Sequence, residues 1–264
     1  MRLAITHEAV FRHDTTVHHS IQHLRLTPHS SLLRRVVDWQ LELPVPAYKS
    51  IDPYGNVLHV MTLDYPHREV RVKAHGVVET APEFDTRIDK LPPLFFLRQT
   101  ELTAPDLALR EFADNHRHDA MTLRRLGRLM AAIRDRLQLV DDETEPATSA
   151  AHTFATGEGT SGHLTQVFLS CARYLGAPAR YVSGYLYSLG EPTQQVSLHA
   201  WAETWCEGDW HIFDVANAAN NLPHHLKLAI GLDFLDACPI HDVRNRKTED
   251  EMDNEEWEWM DEME

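Results

Sequence analysis

The sequence is poor in cysteine, and it has no long apolar run. Three cysteines occur among 264 residues, and no two of them form a C-x-x-C pair. Neither a disulfide framework nor a thiolate zinc site is therefore indicated. The first residues lack the apolar core of a signal peptide, and no stretch of 18 apolar residues occurs. These absences predict a soluble cytoplasmic protein with no membrane partner.

Basic residues are also scarce. Lys and Arg number 25 against 40 Asp and Glu, which gives a formal net charge of −15 and argues against a nucleic-acid partner held by phosphate neutralisation. Ten of the acids lie in residues 248–264, where no basic residue occurs, so that residues 1–247 carry −5. A like-charged segment with so few apolar residues is predicted to be disordered. Its residues Trp257 and Trp259 favour a second interpretation, a short docking motif.

Common cofactor motifs are absent as well. No P-loop and no G-x-G-x-x-G occurs, and the 18 histidines include no H-E-x-x-H and no His and Cys set at zinc spacing. Adjacent histidines on a strand face opposite sides and are poor joint ligands. The sequence therefore predicts no cofactor and no metal.

The first 80 residues have the pattern of β-structure. Val37, Trp39, Leu41 and Leu43 alternate with polar residues, which is typical of a strand with one wet face. The segment 52–56, DPYGN, has the chemistry of a turn. We therefore expect an antiparallel β domain over residues 1–80, followed by a proline-rich connector over 81–104.

The periodicity becomes helical after residue 105. An apolar stripe recurs at intervals of three and four, which predicts an amphipathic helix; its residues are Leu123, Leu126, Met130, Ile133 and Leu137. A second helix is expected over 163–175. Three strands are expected after it, over 180–187, 198–206 and 210–214. The class is therefore α+β, with a core over 105–247 and an acidic tail over 248–264.

Ser161, His199 and Asp214 each have an ordinary structural explanation. Thr160 or Ser161 suits the N-cap of the following helix. A histidine in mid-strand is commonly a satisfied side chain, and an aspartate at a strand end commonly forms a turn. Taken one at a time, none of the three indicates chemistry.

Their order and surroundings change that interpretation. Several separated segments resemble the bacterial transglutaminase-like family, which is related to papain-like cysteine proteases: HEAVFRHD, SIQHLRLTP, DPYGN, GEGTS, ARYVSGYLY, SLHAWAE, WHIFDVAN and GLDFLDACPI. The resemblance spans nearly the whole chain and implies a β domain followed by a papain-like α+β core.

The resemblance also implies a catalytic triad. The family's nucleophilic Cys falls on Ser161, its general base on His199, and the Asp that orients the base on Asp214. A helix N-terminus favours a developing anion at the nucleophile, and the carboxylate fixes the imidazole tautomer. Serine at this position departs from the family, as does the segment GHLTQ that follows it, because serine cannot rest as a thiolate–imidazolium pair.

Neither Cys171 nor Cys206 replaces the missing nucleophile. Cys171 lies roughly 15 Å along the helix from Ser161, and Cys206 is an odd number of residues from His199 on one strand, which places it on the opposite face.

Two functions remain open at this point. One is a non-catalytic or impaired member that binds a peptide or partner protein in the inherited cleft. The other is an active serine-variant amide hydrolase or acyltransferase that uses Ser161, His199 and Asp214.

Overall fold

A computed structural model describes residues 2–28, 34–80, 91–140, 148–187, 193–217 and 224–243. The acidic tail over 248–264 lies outside these residues, and so does segment 81–90 of the predicted connector. Within the described ranges, no helix is long and apolar enough to cross a membrane.

The N-terminal region folds into strands, as its alternating pattern predicts. They are β1 (Arg2–Val17), β2 (Ser20–Leu24), β3 (Arg34–Glu42), β4 (Tyr48–Ile51), β5 (Val57–Leu63) and β6 (His67–Thr80). β1, β3 and β6 pair in one antiparallel set, and β2, β4 and β5 pair in another. A buried cluster that includes Leu3, Ile5, Met61 and Val72 holds this region together.

Beyond residue 90 the described chain mixes helices and strands. A 3-10 helix (Pro93–Leu97) is followed by α1 (Leu107–Asp114), α2 (Leu123–Arg136), β7 (Gln138–Leu139), α3 (Ala150–Thr156), β8 (Glu158–Gly159), α4 (Ser161–Tyr174), β9 (Ala179–Tyr187), β10 (Thr193–Gln195), β11 (Leu198–Cys206), β12 (Asp209–Phe213), β13 (His224–Gly231), α5 (Phe234–Ala237) and β14 (Ile240–Val243). The predicted α+β class with an N-terminal antiparallel sheet is confirmed.

α4 is the buried helix of the second core. It packs against a four-stranded sheet with the order β12-β11-β9-β13, and its residues from His163 to Arg173 are all buried. α2 presents Leu126, Leu129 and Ile133 to the same core, so most of its apolar stripe is packed as periodicity predicts. Leu123, which begins that stripe, is 41% exposed.

The two regions are interlocked by strands that return to the N-terminal sheets. β10 pairs in parallel with β1, and β14 pairs antiparallel with β2. The turn over 52–56 also contacts the second core, because the side-chain amide of Asn56 exchanges hydrogen bonds with the backbone of Ile230 at 2.8 and 2.9 Å. The division at residues 80 and 105 stays a prediction, but the N-terminal sheets take strands from both sides of it.

One expected detail of β3 is wrong. Val37 was expected on the buried face with Trp39, but it is 43% exposed. The pairing of β3 with β6 shifts register between Val36 and Asp38. A bulge of this kind moves one residue out of the alternation.

Candidate active site

The start of α4 is capped by Thr160. The Thr160 side chain accepts from the backbone of His163, and the Thr160 backbone N–H donates to His163 Nδ1 at 3.3 Å, a capping-box arrangement. Ser161 is therefore the first helical residue and not the cap. Within the described chain its hydroxyl makes no hydrogen bond, so capping does not account for a serine here.

Gly162 follows Ser161 because Tyr181 occupies the space beside it. A Cβ placed on Gly162 would lie 2.7 Å from the Tyr181 hydroxyl oxygen. Tyr181 is buried, and its ring packs edge-to-face with Phe234. Any larger residue at position 162 would have to displace that tyrosine, which gives a physical reason for the glycine after Ser161.

His199 and Asp214 are joined as the sequence predicts. His199 lies near the start of β11, and Asp214 directly follows β12, its neighbour in the sheet. Asp214 Oδ2 accepts a hydrogen bond from His199 Nε2 at 2.9 Å. This bond orients the imidazole and leaves His199 Nδ1 without a hydrogen bond among the described residues.

The same carboxylate has two further partners that sequence analysis missed. His225 Nε2 lies 3.0 Å from Asp214 Oδ2. Asn217 donates its backbone N–H to Oδ1 at 3.0 Å and its side-chain amide to Oδ2 at 3.3 Å. Asp214 is thus held by two imidazoles and by the loop that follows it.

Burial and hydrogen bonding act in opposite directions on Asp214. Its side chain is 6% exposed, and those of His199 and His225 are 10% and 3% exposed. Burial raises the pKa of Asp214, but the hydrogen bonds from His199 and His225 outweigh it and hold the pKa well below its ordinary value. The carboxylate is therefore ionised throughout the neutral range.

A buried ion-pair cluster lies further along β11, the strand of His199, at Glu203. Arg180 Nε donates to Glu203 Oε2 at 2.8 Å, and Lys227 Nζ donates to the same oxygen at 2.7 Å. Burial raises the pKa of Glu203, but the charges of Lys227 and Arg180 outweigh it and lower the pKa to about 2. These three residues connect β9, β11 and β13, the strands that carry and flank the histidines.

The cysteines are placed as structural residues. Cys171, Cys206 and Cys238 are all buried and unpaired. Burial raises the pKa of Cys171 to about 12 and those of Cys206 and Cys238 to about 11. A thiol with so high a pKa carries almost no thiolate at neutral pH, so none of the three is suited to act as a nucleophile.

The fold brings only two of the three predicted site residues into contact. The structure brings His199 and Asp214 into direct contact. No hydrogen bond in the described part of the chain joins Ser161 to His199. Their catalytic roles stay predictions, whereas the network around Asp214 is larger than predicted.

Two family comparisons cover the regions that hold these residues. Residues 3–79 match the family described as the bacterial transglutaminase-like N-terminal region, and residues 110–215, which contain all three predicted site residues, match the transglutaminase-like superfamily. The two matches span 77 and 106 of the 264 residues, so both regions of the chain are similar to transglutaminase-like proteins.

Individual relatives are similar to this chain over most of its length. An uncharacterized protein of Mycobacterium leprae is 24% identical over 96% of both chains. One of Mycobacterium tuberculosis is 24% identical over 92% of this chain and 87% of its own length. A solved structure of a candidate cysteine protease from Cytophaga hutchinsonii is similar at a TM-score of 0.73, with 17% identity, over 92% of this chain and 85% of that one. At that identity the solved structure supports the fold alone.

Proposed function

We propose that this transglutaminase-like protein is a non-catalytic member that binds a peptide or a partner protein at the inherited active-site position. The observation that carries the proposal is the contrast at the site: His199 is held by Asp214, while the Ser161 hydroxyl makes no hydrogen bond to His199. A serine nucleophile needs a neutral imidazole within about 3.2 Å to take its proton. With serine in place of the family's cysteine, no resting thiolate makes up for that missing contact.

A peptide-binding experiment tests the proposal. The full-length protein is screened against an immobilised peptide library, and labelled hits are titrated in solution by fluorescence anisotropy. Ser161→Tyr places a ring at the start of α4, and we expect it to weaken binding at least tenfold, as a rough magnitude for blocking a pocket. Ser50→Tyr on the edge strand β4 is the matched control and should bind as the wild type does.

Two results would count against the proposal. One is a wild-type protein that binds no library member. The other is an affinity that Ser161→Tyr leaves unchanged, which would move the binding site away from α4. Mass spectrometry of the bound peptides shows in the same experiment whether any of them has been cleaved.

A second candidate function, a serine-variant amide hydrolase or acyltransferase, is favoured by two observations. Thr160 takes over the capping role that would otherwise explain Ser161, and the Asp214 contact through Nε2 leaves His199 Nδ1 as a base. In this scheme Ser161 Oγ attacks the amide carbon while its proton passes to His199 Nδ1. The imidazolium then protonates the leaving amine, and water or a second amine releases the acyl group.

Product analysis distinguishes the second candidate from the first. An amide peptide library is incubated with the protein with and without an added primary amine. Cleaved or amine-modified peptides that disappear with both Ser161→Ala and His199→Gln would establish the enzyme. Peptides that bind and are recovered intact would favour the non-catalytic member.

A further inference from the structure

Two imidazoles and one carboxylate converge at the ends of three strands. His199 is on β11, Asp214 follows β12, and His225 is on β13. One ligand atom from each residue lies within 4.8 Å of the other two. The peptide-binding proposal gives His225 no role, and the serine-hydrolase scheme needs only one of the two histidines.

The donor set is one that binds transition metals. Imidazole nitrogens and a carboxylate oxygen are ordinary Zn²⁺ ligands, and three protein ligands with a fourth open position form a common zinc coordination. We infer that His199, Asp214 and His225 form a binding site for a divalent transition metal, with Zn²⁺ as the best-suited ion. The inference does not rest on the proposed peptide binding.

The distances between the ligand atoms are close to those of a zinc site. The two Nε2 atoms lie 2.9 and 3.0 Å from Asp214 Oδ2. In a tetrahedral zinc site, bonds of about 2.0 to 2.1 Å place ligand atoms roughly 3.3 Å apart. The two N–O distances therefore need to lengthen by a few tenths of an ångström, and the two histidine nitrogens, which lie within 4.8 Å of each other, need to come to roughly 3.3 Å by rotation of the imidazoles.

The protons also balance. In the metal-free network each histidine donates its Nε2 proton to Asp214. When the Nε2 lone pairs bind the ion, each ring proton moves to Nδ1, so both imidazoles stay neutral. Neither Nδ1 atom makes a hydrogen bond within the described residues, and both are available to carry that proton.

The surroundings hold the three ligands in place, as a metal site needs. The Trp201 ring packs against His225 with ring centroids 4.5 Å apart and stacks on His199 at 6.3 Å. Asn217 fixes Asp214 through its backbone N–H and its side-chain amide. Metal ligation uses both His199 and Asp214 and requires no nucleophile at position 161.

Zinc titration of the metal-free, full-length protein tests the inference by isothermal calorimetry. We expect one saturable Zn²⁺ site per chain in the wild type. His225→Gln and Asp214→Asn should each weaken it at least tenfold, roughly the lower bound for damage to a metal site. His241→Gln is the matched control, because His241 faces His23 across β14 and β2 at a centroid distance of 6.3 Å but lies outside this cluster.

Circular dichroism shows whether His225→Gln or Asp214→Asn has lost its fold. If one of them has, the zinc affinity of the other variant is compared with that of the wild type. Co²⁺ provides an independent readout, since the visible absorption of tetrahedral Co²⁺ should appear in the wild type and in His241→Gln and be lost in Asp214→Asn. No saturable zinc binding by the wild type would overturn the inference. So would an affinity that His225→Gln leaves unchanged. Neither result bears on peptide binding, which is measured separately in metal-free buffer.

Discussion

The two sides of the site differ in how firmly the fold holds them. On the sheet side, Asp214 binds His199, His225 and Asn217, and every one of these contacts is buried or partly buried. On the helix side, Ser161 is the first residue after the cap and its hydroxyl contributes no hydrogen bond within the described chain. The sheet-side residues are therefore part of the hydrogen-bonded framework of the fold, whereas the side chain of Ser161 is not.

The start of α4 therefore tolerates different side chains at position 161 without loss of the fold. The start of α4 is stabilised by Thr160, His163 and the close approach of Tyr181 to Gly162. None of these contacts depends on the side chain at position 161. Removal of a sheet-side residue instead leaves buried polar partners unsatisfied, which costs free energy.

The largest effect on stability is expected at Glu203. Glu203→Gln leaves the buried Arg180 without its carboxylate partner and should lower the free energy of unfolding by about 4 kcal/mol, as removal of one member of a buried ion pair does. Urea unfolding measures it. A loss below about 1 kcal/mol would show that the strands under the histidines do not depend on this cluster.

The same residue predicts a dependence on acid. The pKa of Glu203 is about 2 in the folded protein against an ordinary 4.5. Its stabilisation is therefore complete above about pH 4.5 and is lost as the pH falls from there towards 2. The free energy of unfolding of Glu203→Gln should fall less steeply than that of the wild type across this window, and parallel curves would contradict the assignment.

Asp214 and Ser161 give the direct comparison of the two sides. Asp214→Ala leaves two buried histidine donors without an acceptor and should cost about 3 kcal/mol in the free energy of unfolding. Ser161→Ala should change it by less than about 0.5 kcal/mol. Equal effects of the two substitutions in urea unfolding would remove the distinction between sheet side and helix side.

A smaller effect is expected at Gly162. Gly162→Ala brings a methyl group against the Tyr181 hydroxyl and should destabilise the protein by about 1 to 2 kcal/mol through overpacking. Gly127→Ala within α2 is the matched control, because a Cβ there meets nothing within 4 Å. That control should instead stabilise the protein by about 0.5 to 1 kcal/mol, the helix preference of alanine over glycine.

The smallest effect on stability, with a clear chemical readout, is expected for Ser161→Cys. The new thiol lies at a helix N-terminus, which favours a thiolate. It should be alkylated by iodoacetamide at neutral pH well before Cys171, whose pKa is raised to about 12 by burial. Peptide mapping identifies the alkylated residue, and modification of Cys171 first would mean that the start of α4 does not favour an anion.

Local pattern was sufficient to predict much of the fold. The α4 helix and the strand that carries His199 follow from periodicity and from the β-branched and aromatic residues of that segment. Features set by pairing at a distance could not be predicted in this way. The return of β10 and β14 to the N-terminal sheets and the bulge at Val37 belong to this second group.

The site shows the same limit. Ser161, His199 and Asp214 follow from the resemblance and from their order along the chain, but His225 has no such signal, because it is one of two adjacent histidines on a strand. The contact between His225 and Asp214 depends on the order of strands in the sheet, because β13 pairs with β9 and not with β12, the strand before it in the sequence. The contact between Asn217 and Asp214 has a local signal, because the two residues are only three positions apart in the sequence.

Labelling with a serine-directed fluorophosphonate, read by intact mass, distinguishes a non-catalytic binding protein from a serine-dependent enzyme. We expect no adduct on the folded wild-type protein, because Ser161 makes no hydrogen bond to His199 while that histidine is held by Asp214. A stoichiometric adduct at Ser161 that is lost in His199→Gln would contradict this expectation and make the protein a serine-dependent enzyme.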